Sequence, residues 1–426
     1  MKKYEIYKDS GFEWIGEIPE GWEVSRIKHL LEQSKDGIKI GPFGSALTGK
    51  VNNEGEYKVY GQWNIVGKDF NAGKNFVSSE TFSALESYHI SSGDLFISMM
   101  GTVGKCAIIP KGVAPGIMDS HVVKARLDET KMLPKYFEYV YDKDNSNVIY
   151  SQIQKYRKGS IMDGLNSTLI KEFVVPFPSL SEQRTIISYL DHKVGQIDAS
   201  VSAINTQIDD LKAYRQSIIS EAVTKGLNPD AKMKDSGVEW IGEIPEGWDC
   251  LPMKRGLTIN NGKDYKEIQT ETGYPVFGSG GRFAYALDYL YDGEAVLLGR
   301  KGTIDKPMYV NGKFWTVDTM FYAIPNKDVC CKYMYYQAQT IPFGLYSTNT
   351  ALPSMTQTDL ADNPMCFPPL PEQQAIASYL DKKTYQIDSS IASFEVQRDD
   401  LNALKQSIIS EAVTGKIDLR DWKPKN

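Results

Sequence analysis

The chain has 426 residues, 48 Lys and Arg against 54 Asp and Glu, a net charge of −6 and 41% hydrophobic residues. That length accommodates two or three domains with their own cores, and the composition is ordinary globular. The acidic total excludes a uniformly basic nucleic-acid binder, although a local basic face matters more than the sum.

Cys106, Cys250, Cys330, Cys331 and Cys366 are odd in number and lack zinc spacing. They imply a reducing compartment rather than a disulfide framework. Met1-Lys2-Lys3-Tyr4-Glu5 is not the start of a signal peptide, and no segment reaches membrane-spanning length. The expectation is a soluble, cytoplasmic protein with no membrane partner.

In chain order, residues 1–23 contain the segment Lys8-Asp9-Ser10-Gly11-Phe12-Glu13-Trp14-Ile15-Gly16-Glu17-Ile18-Pro19-Glu20-Gly21-Trp22. It returns at 234–248, changed only where Val238 replaces Phe12. Its Ile-Pro-Glu-Gly-Trp core predicts a turn, with Pro presetting φ and Gly admitting positive φ, covered by tryptophan. We call it the elbow. An identity recurring half a chain later marks two copies of one plan.

Residues 24–177 read as a first head of short β-rich runs broken by Gly and Asn, such as 57–61, 94–99 and 106–110, with a helix near 134–141. A first spacer helix is predicted over 178–226. Ser179 and Ser181 ahead of Glu182 supply cap chemistry. Leu190, Val194, Ile197, Val201, Ile204, Ile208, Leu211, Ile218 and Ala222 form a heptad seam, and Gly226 and Pro229 end it. Roughly forty residues make a rod of about 60 Å, whose apolar seam needs a partner helix.

A linker and the second elbow occupy 227–249, a second β-rich head 250–367, and a second spacer helix 368–416 before a tail at 417–426. Pro371 is expected at the first helical position. The second seam carries Leu380, Ile387, Ile391, Phe394, Leu401, Ile408 and Ala412, with Thr384, Arg398 and Lys405 as polar members that select register. Connectivity requires the second rod to run back antiparallel, returning the C-terminus towards the N-terminus. The expected fold is α+β: two α/β heads separated by two long antiparallel coiled-coil helices, with an internal pseudo-twofold repeat.

The elbows start at 8 and 234 and the helices' Glu-Gln pairs stand at 182 and 372, so the second head is 36 residues shorter. Like scaffolds with unlike heads suit a protein that holds two copies of one partner and reads two different things. Here the chain resembles the specificity subunit of type I restriction–modification enzymes. The resemblance rests on Trp-Ile-Gly-Glu-Ile-Pro-Glu-Gly-Trp before each head, Gly41-Pro42-Phe43-Gly44-Ser45-Ala46-Leu47, and Pro-x-Leu-x-Glu-Gln at the start of each rod. It implies a reader of bipartite, asymmetric double-stranded DNA that scaffolds two methyltransferase subunits, with a restriction/translocase subunit added for cleavage. It also implies that S-adenosylmethionine, ATP and Mg belong to those partners.

No catalytic constellation is legible. In Gly101-Thr102-Val103-Gly104-Lys105-Cys106, Met99 and Cys106 break the phosphate-loop pattern. Asn363-Pro364-Met365-Cys366 lacks the second proline and the aromatic of an adenine-methyltransferase motif. His29, His89, His121 and His192 show no metal spacing. The chain alone is therefore expected to be non-catalytic and to bind no cofactor.

Candidate DNA contacts in the first head are Ser45, Tyr60, Gln62 and Asn64, whose amides suit adenine edges, and Lys105, Lys155, Arg157, Lys158 and Ser160. The 41–45 loop could bind phosphate through backbone N–H groups or simply turn the chain. In the second head the candidates are Ser279, Arg282, Arg300, Lys301, Thr303, Tyr346, Thr348 and Asn349. Trp14, Trp22, Trp240 and Trp248 are candidate docking points for partner subunits. The competing readings are an adaptor that does not touch DNA and an enzyme with a site in each head.

Overall fold

The first rod begins as its sequence dictates. Ser179 Oγ accepts the Glu182 N–H at 3.3 Å and donates to the Glu182 carboxylate at 2.9 Å, capping the first turn. In the computed structural model, which describes residues 2–34, 37–157, 164–346 and 353–424, this helix spans Leu180–Lys225 and ends at Gly226, whose φ is +75°. The second spans Leu370–Val413. Pro371 is thus its second residue rather than its first, in a turn whose N–H groups are unbonded in any case.

The chain divides into two compact units, Met1–Ala203 with Gln397–Asn426, and Ile204–Val396. In the first unit, Ile186, Tyr189 and Leu190 at the start of one helix share a core with Ile409, Ala412 and Val413 at the end of the other. Lys405 reaches across to Asp198 at 2.7 Å. In the second unit, Ile218, Ile219, Ala222 and Val223 share a core with Ile376, Ala377, Leu380 and Ile387. Numbers rise along one helix as they fall along the other, so the pairing inside each unit is antiparallel. The polar seam members are accommodated: Thr384 turns its hydroxyl onto the Leu380 carbonyl at 2.7 Å, and Lys405 extends to its carboxylate partner. In the first unit the tail meets the opening residues, with the Asp418 N–H on the Lys2 carbonyl at 2.9 Å.

The two heads, so unlike in sequence, share one strand order. The first has a four-stranded sheet ordered Ile38–Ile40, Val122–Ala125, Leu95–Ser98, Cys106–Ile108. The second repeats that order as Leu257–Asn261, Met320–Pro325, Tyr291–Gly299, Met308–Thr316. Tyr57–Tyr60 then runs parallel to Gly116–Met118, as Tyr274–Gly278 runs parallel to the end of Met308–Thr316. One strand of the second head therefore does the work of two in the first. The reason lies in 109–115 of the first head: Pro110 and Pro115 flank the break, and proline supplies no ladder N–H. The first head splits into sheets of four and three strands, whereas the second holds one sheet of seven.

At its root each head is closed by paired strands, Glu23–Arg26 with Val174–Phe177 and Asp249–Pro252 with Pro364–Phe367. The Asn363 motif falls here, where its carbonyl accepts the Met253 N–H at 2.8 Å. A helix precedes the closing strand in each head, Pro134–Tyr141 and Cys331–Ala338. Tyr136 Oη donates to the Val413 carbonyl at 3.0 Å, and Tyr333 Oη to the Val223 carbonyl at 3.3 Å. Each head thus fixes the end of the rod that arrives at its base.

Candidate nucleic-acid interface

Four matched backbone hydrogen bonds build the same loop cluster in each head. Gly41 N–H donates to the Val122 carbonyl, and Gly262 N–H to that of Met320, both at 3.0 Å. Asp119 N–H donates to Tyr60 at 2.8 Å, and Val317 N–H to Phe277 at 3.1 Å. Met99 N–H meets His121 at 3.2 Å, and Arg300 N–H meets Thr319 at 2.9 Å. Leu165 N–H returns to Met99 and Met355 N–H to Arg300, each at 2.9 Å. Glycine is required at the first position of both clusters. A Cβ on Gly41 would lie 1.6 Å from the Asp119 carbonyl oxygen, and one on Gly262 2.0 Å from that of Val317.

On these matched backbones the side chains differ in kind. The first cluster is neutral and partly apolar: Phe43 is 86% exposed, Met100 51% and Trp63 38%. Ser45 is exposed, and half-buried Gln62 donates from Nε2 to Thr102 Oγ1 at 2.5 Å. Asp119 lies beneath, and burial raises its carboxyl above the usual range despite hydrogen bonds from His121. The second cluster is cationic. Ser279 and Gly280 form the two-residue turn between Tyr274–Gly278 and Gly281–Ala286. Exposed Arg282 follows, its guanidinium over the Tyr285 ring. A Cβ on Gly302 would lie 3.2 Å from Ser279 Oγ, so the 278–282 and 300–303 loops adjoin. Arg300 and Lys301 are exposed and Thr303 half-buried beside them, with Arg300 Nη1 on the Asp318 carbonyl at 3.3 Å.

Several expectations need correction. Tyr60 is fully buried and donates to the Ala114 carbonyl at 2.8 Å. Asn64 is equally buried: its Oδ1 caps the Gly61 N–H at 2.9 Å, and its Nδ2 donates to Asp69 and Ala72 carbonyls. Both build the loop rather than face outwards. Lys105 is half-buried and ion-paired with Asp144, and burial draws its ammonium pKa down. The Gly41 N–H is spent on the Val122 carbonyl inside the head and is not free to meet a phosphate. Lys155 is exposed, but its Nζ lies over the Trp14 ring at 5.1 Å, at the elbow. Lys158, Ser160, Thr348 and Asn349 lie outside the described residues, as do the side chains of Arg157 and Tyr346. Sequence reading missed exposed Lys263, next to Gly262, and His121 in the first cluster. For Lys263 the signal is the glycine directly after the first strand of the head's sheet; His121 has none.

The elbow tryptophans divide. Trp22 and Trp248 are each 1% exposed, and each indole N–H donates to the glutamate in the first turn of a long helix. They hold the chain's own joint and offer no surface to a partner. Trp14 and Trp240 are half-buried against the same cores. Next to each glutamate, buried Gln183 accepts the Leu133 N–H at 2.8 Å, and Gln373 accepts the Cys330 N–H at 2.9 Å. The repeated Glu-Gln pair therefore ties elbow and head to the helix start. Among the described residues no cluster of His, Cys, Asp and Glu could hold a metal ion, and no helix is long and apolar enough to cross a membrane.

A family model described as the type I restriction modification DNA specificity domain matches residues 19–210 and 245–391. This chain belongs to that family of DNA specificity proteins. It is 25% identical to a putative type I restriction enzyme MjaX specificity subunit of Methanocaldococcus jannaschii, over 97% of this chain and 98% of that one. With the EcoDI specificity subunit of Escherichia coli the identity is 22%, over 68% and 72%. A solved structure of a type I R-M system, reported for its assembly and conformational transition, contains a chain of the same fold. The TM-score is 0.67 at 16% identity, over 93% of this chain and 98% of that one.

Proposed function

We propose that this specificity protein reads a bipartite, asymmetric DNA target, one half with each head, and scaffolds two methyltransferase subunits. The observation that carries the reading is the pair of matched loop clusters with unlike side chains. The same backbone would present Gln62, Ser45, Trp63 and Met100 to one half-site, and Ser279, Arg282, Arg300 and Lys301 to the other. Amides suit adenine, apolar groups suit the thymine methyl, and cations suit guanine or phosphate. The negative total charge is compatible with this reading because exposed Arg282, Arg300 and Lys301 stand together in the second cluster.

On this reading the long helices form a coiled-coil spacer with pseudo-twofold related ends, and helix length sets the gap between half-sites. Trp14 and Trp240, with the elbow surfaces around them, would receive the like partners. A restriction/translocase subunit would join for cleavage. S-adenosylmethionine, ATP and Mg would be bound by the partners, and methylation would fall on adenine. The chain itself would contribute recognition and no chemistry, in the cytoplasm.

The test replaces residues 24–177 with the head of a relative and maps methylated sites in cells. One half of the target should change while the other half and the spacing stay. An unchanged pattern would remove the assignment of the heads as readers.

A further inference from the structure

We propose that Cys250 and Cys366 form a reversible thiol–disulfide site that closes the second head at its root. The two residues are direct partners in the antiparallel pair Asp249–Pro252 with Pro364–Phe367. Their pairing type is fixed by a third residue. Gln337 Oε1 accepts the Cys366 N–H at 2.9 Å, and Gln337 Nε2 donates to the Cys366 carbonyl at 2.6 Å. The Cys366 N–H therefore points away from Cys250, which marks a non-hydrogen-bonded pair. Such pairs bring Cα atoms to about 4.5 Å and side chains closer than the alternative. That lies at the near edge of the roughly 4.4–6.8 Å range a disulfide spans.

The two thiols are unlike in a way that gives the reaction an order. The Cys366 S–H donates to the Cys250 sulfur, which lowers the Cys250 thiol pKa; that hydrogen bond and burial raise the pKa of Cys366. Cys250 is half-buried and Cys366 buried. A hydroperoxide therefore meets Cys250 first. The Cys250 thiolate attacks one peroxide oxygen, the O–O bond breaks, and the departing hydroxide takes a proton to become water. The Cys366 sulfur then attacks the resulting sulfenic acid. The S–S bond forms as the S–O bond breaks, and the hydroxyl leaves with the Cys366 proton as a second water. Two thiols and one hydrogen peroxide give one disulfide and two waters.

The product would join the two strands at which the second head leaves and rejoins its joint, so that residues 251–365 become one covalent loop. The first head provides an internal control. Its equivalent root positions are Val24 and Pro176, which pair in the same register and carry no thiol.

The experiment treats the purified full-length chain with equimolar hydrogen peroxide, blocks remaining thiols with N-ethylmaleimide, and maps peptides without reduction. The expected result is a peptide linking Cys250 to Cys366, released by dithiothreitol and absent in C250S and C366S. Because C366S alters a buried position, C250S is the decisive variant. Oxidation should also slow proteolysis of the second head several-fold in the wild type, leaving the first head unaffected. In C250S it should not. Recovery of both residues as maleimide adducts, or of Cys250 as an unlinked sulfinic acid, would overturn the proposal.

Discussion

Trp22 donates its indole N–H to Glu182 at 2.9 Å across 160 residues of chain, and Trp248 makes the same bond to Glu372 at 3.0 Å. In both cases a repeated elbow meets a repeated helix start. In the first unit the glutamate serves three donors, since one carboxylate oxygen takes the indole and the Tyr4 hydroxyl and the other takes the Ser179 hydroxyl. Pro369, the cap position of the second helix, has no side-chain donor, so Glu372 depends more heavily on Trp248. The repeats coincide because each is half of one joint.

Trp22→Ala removes a large buried ring and should cost about 3–5 kcal/mol. Trp22→Phe retains most of the ring and should cost about 1–3 kcal/mol for the lost charged hydrogen bond. Hydrogen exchange followed peptide by peptide should show loosening at residues 2–22, 180–190 and 409–419, with the Trp248 joint unchanged. Equal loosening at both joints would contradict independent clamps.

Asn64→Ala leaves the Gly61 N–H and two carbonyls without their partner, at a cost on the order of 3 kcal/mol. The expected outcome is a less stable first head that still directs methylation to the same sequence. A shifted base preference with unchanged denaturant midpoint would return Asn64 to the readers.

The cationic cluster of the second head predicts a measurable salt dependence. Replacing Arg282 and Lys301 together by alanine should reduce the slope of log affinity against log salt by about 2. Lys105→Ala should leave that slope unchanged, because Lys105 is half-buried and its ammonium is engaged by Asp144 within the head. Titration of fluorescent duplex at several salt concentrations distinguishes the two behaviours.

The tail supplies a pH dependence. Hydrogen bonds from the Arg420 guanidinium hold the Asp418 carboxyl below its ordinary value. A depressed folded-state pKa gives stability that is present above the unfolded value, about 3.9, and lost as pH falls through the folded one. Asp418→Asn should therefore be less stable than wild type at neutral pH, with the difference narrowing as pH falls below about 4. Urea midpoints across that range provide the check, and a gap that widened on acidification would contradict the assignment.

The scaffold was legible because its signals are local and periodic: a cap at Ser179, seam residues every three or four positions, and a glycine stop. The kinship of the heads was not, because it resides in backbone pairings such as Gly41 with Val122 and Gly262 with Met320. Those bonds constrain almost no side chain beyond the glycine. Trp22 looked like a docking residue because a buried aromatic and an exposed one are the same letter. Asn64 looked like a base reader because an amide that caps a loop and an amide that reads adenine offer the same donors and acceptor.

The most direct test duplicates one head. Residues 250–367 are replaced by residues 24–177, so that both joints carry the first cluster, and methylated sites are sequenced from cells containing the partner subunits. With the pseudo-twofold spacer proposed above, two identical readers should yield an inverted-repeat target built from the first half-site alone. Retention of the original asymmetric target would contradict the account.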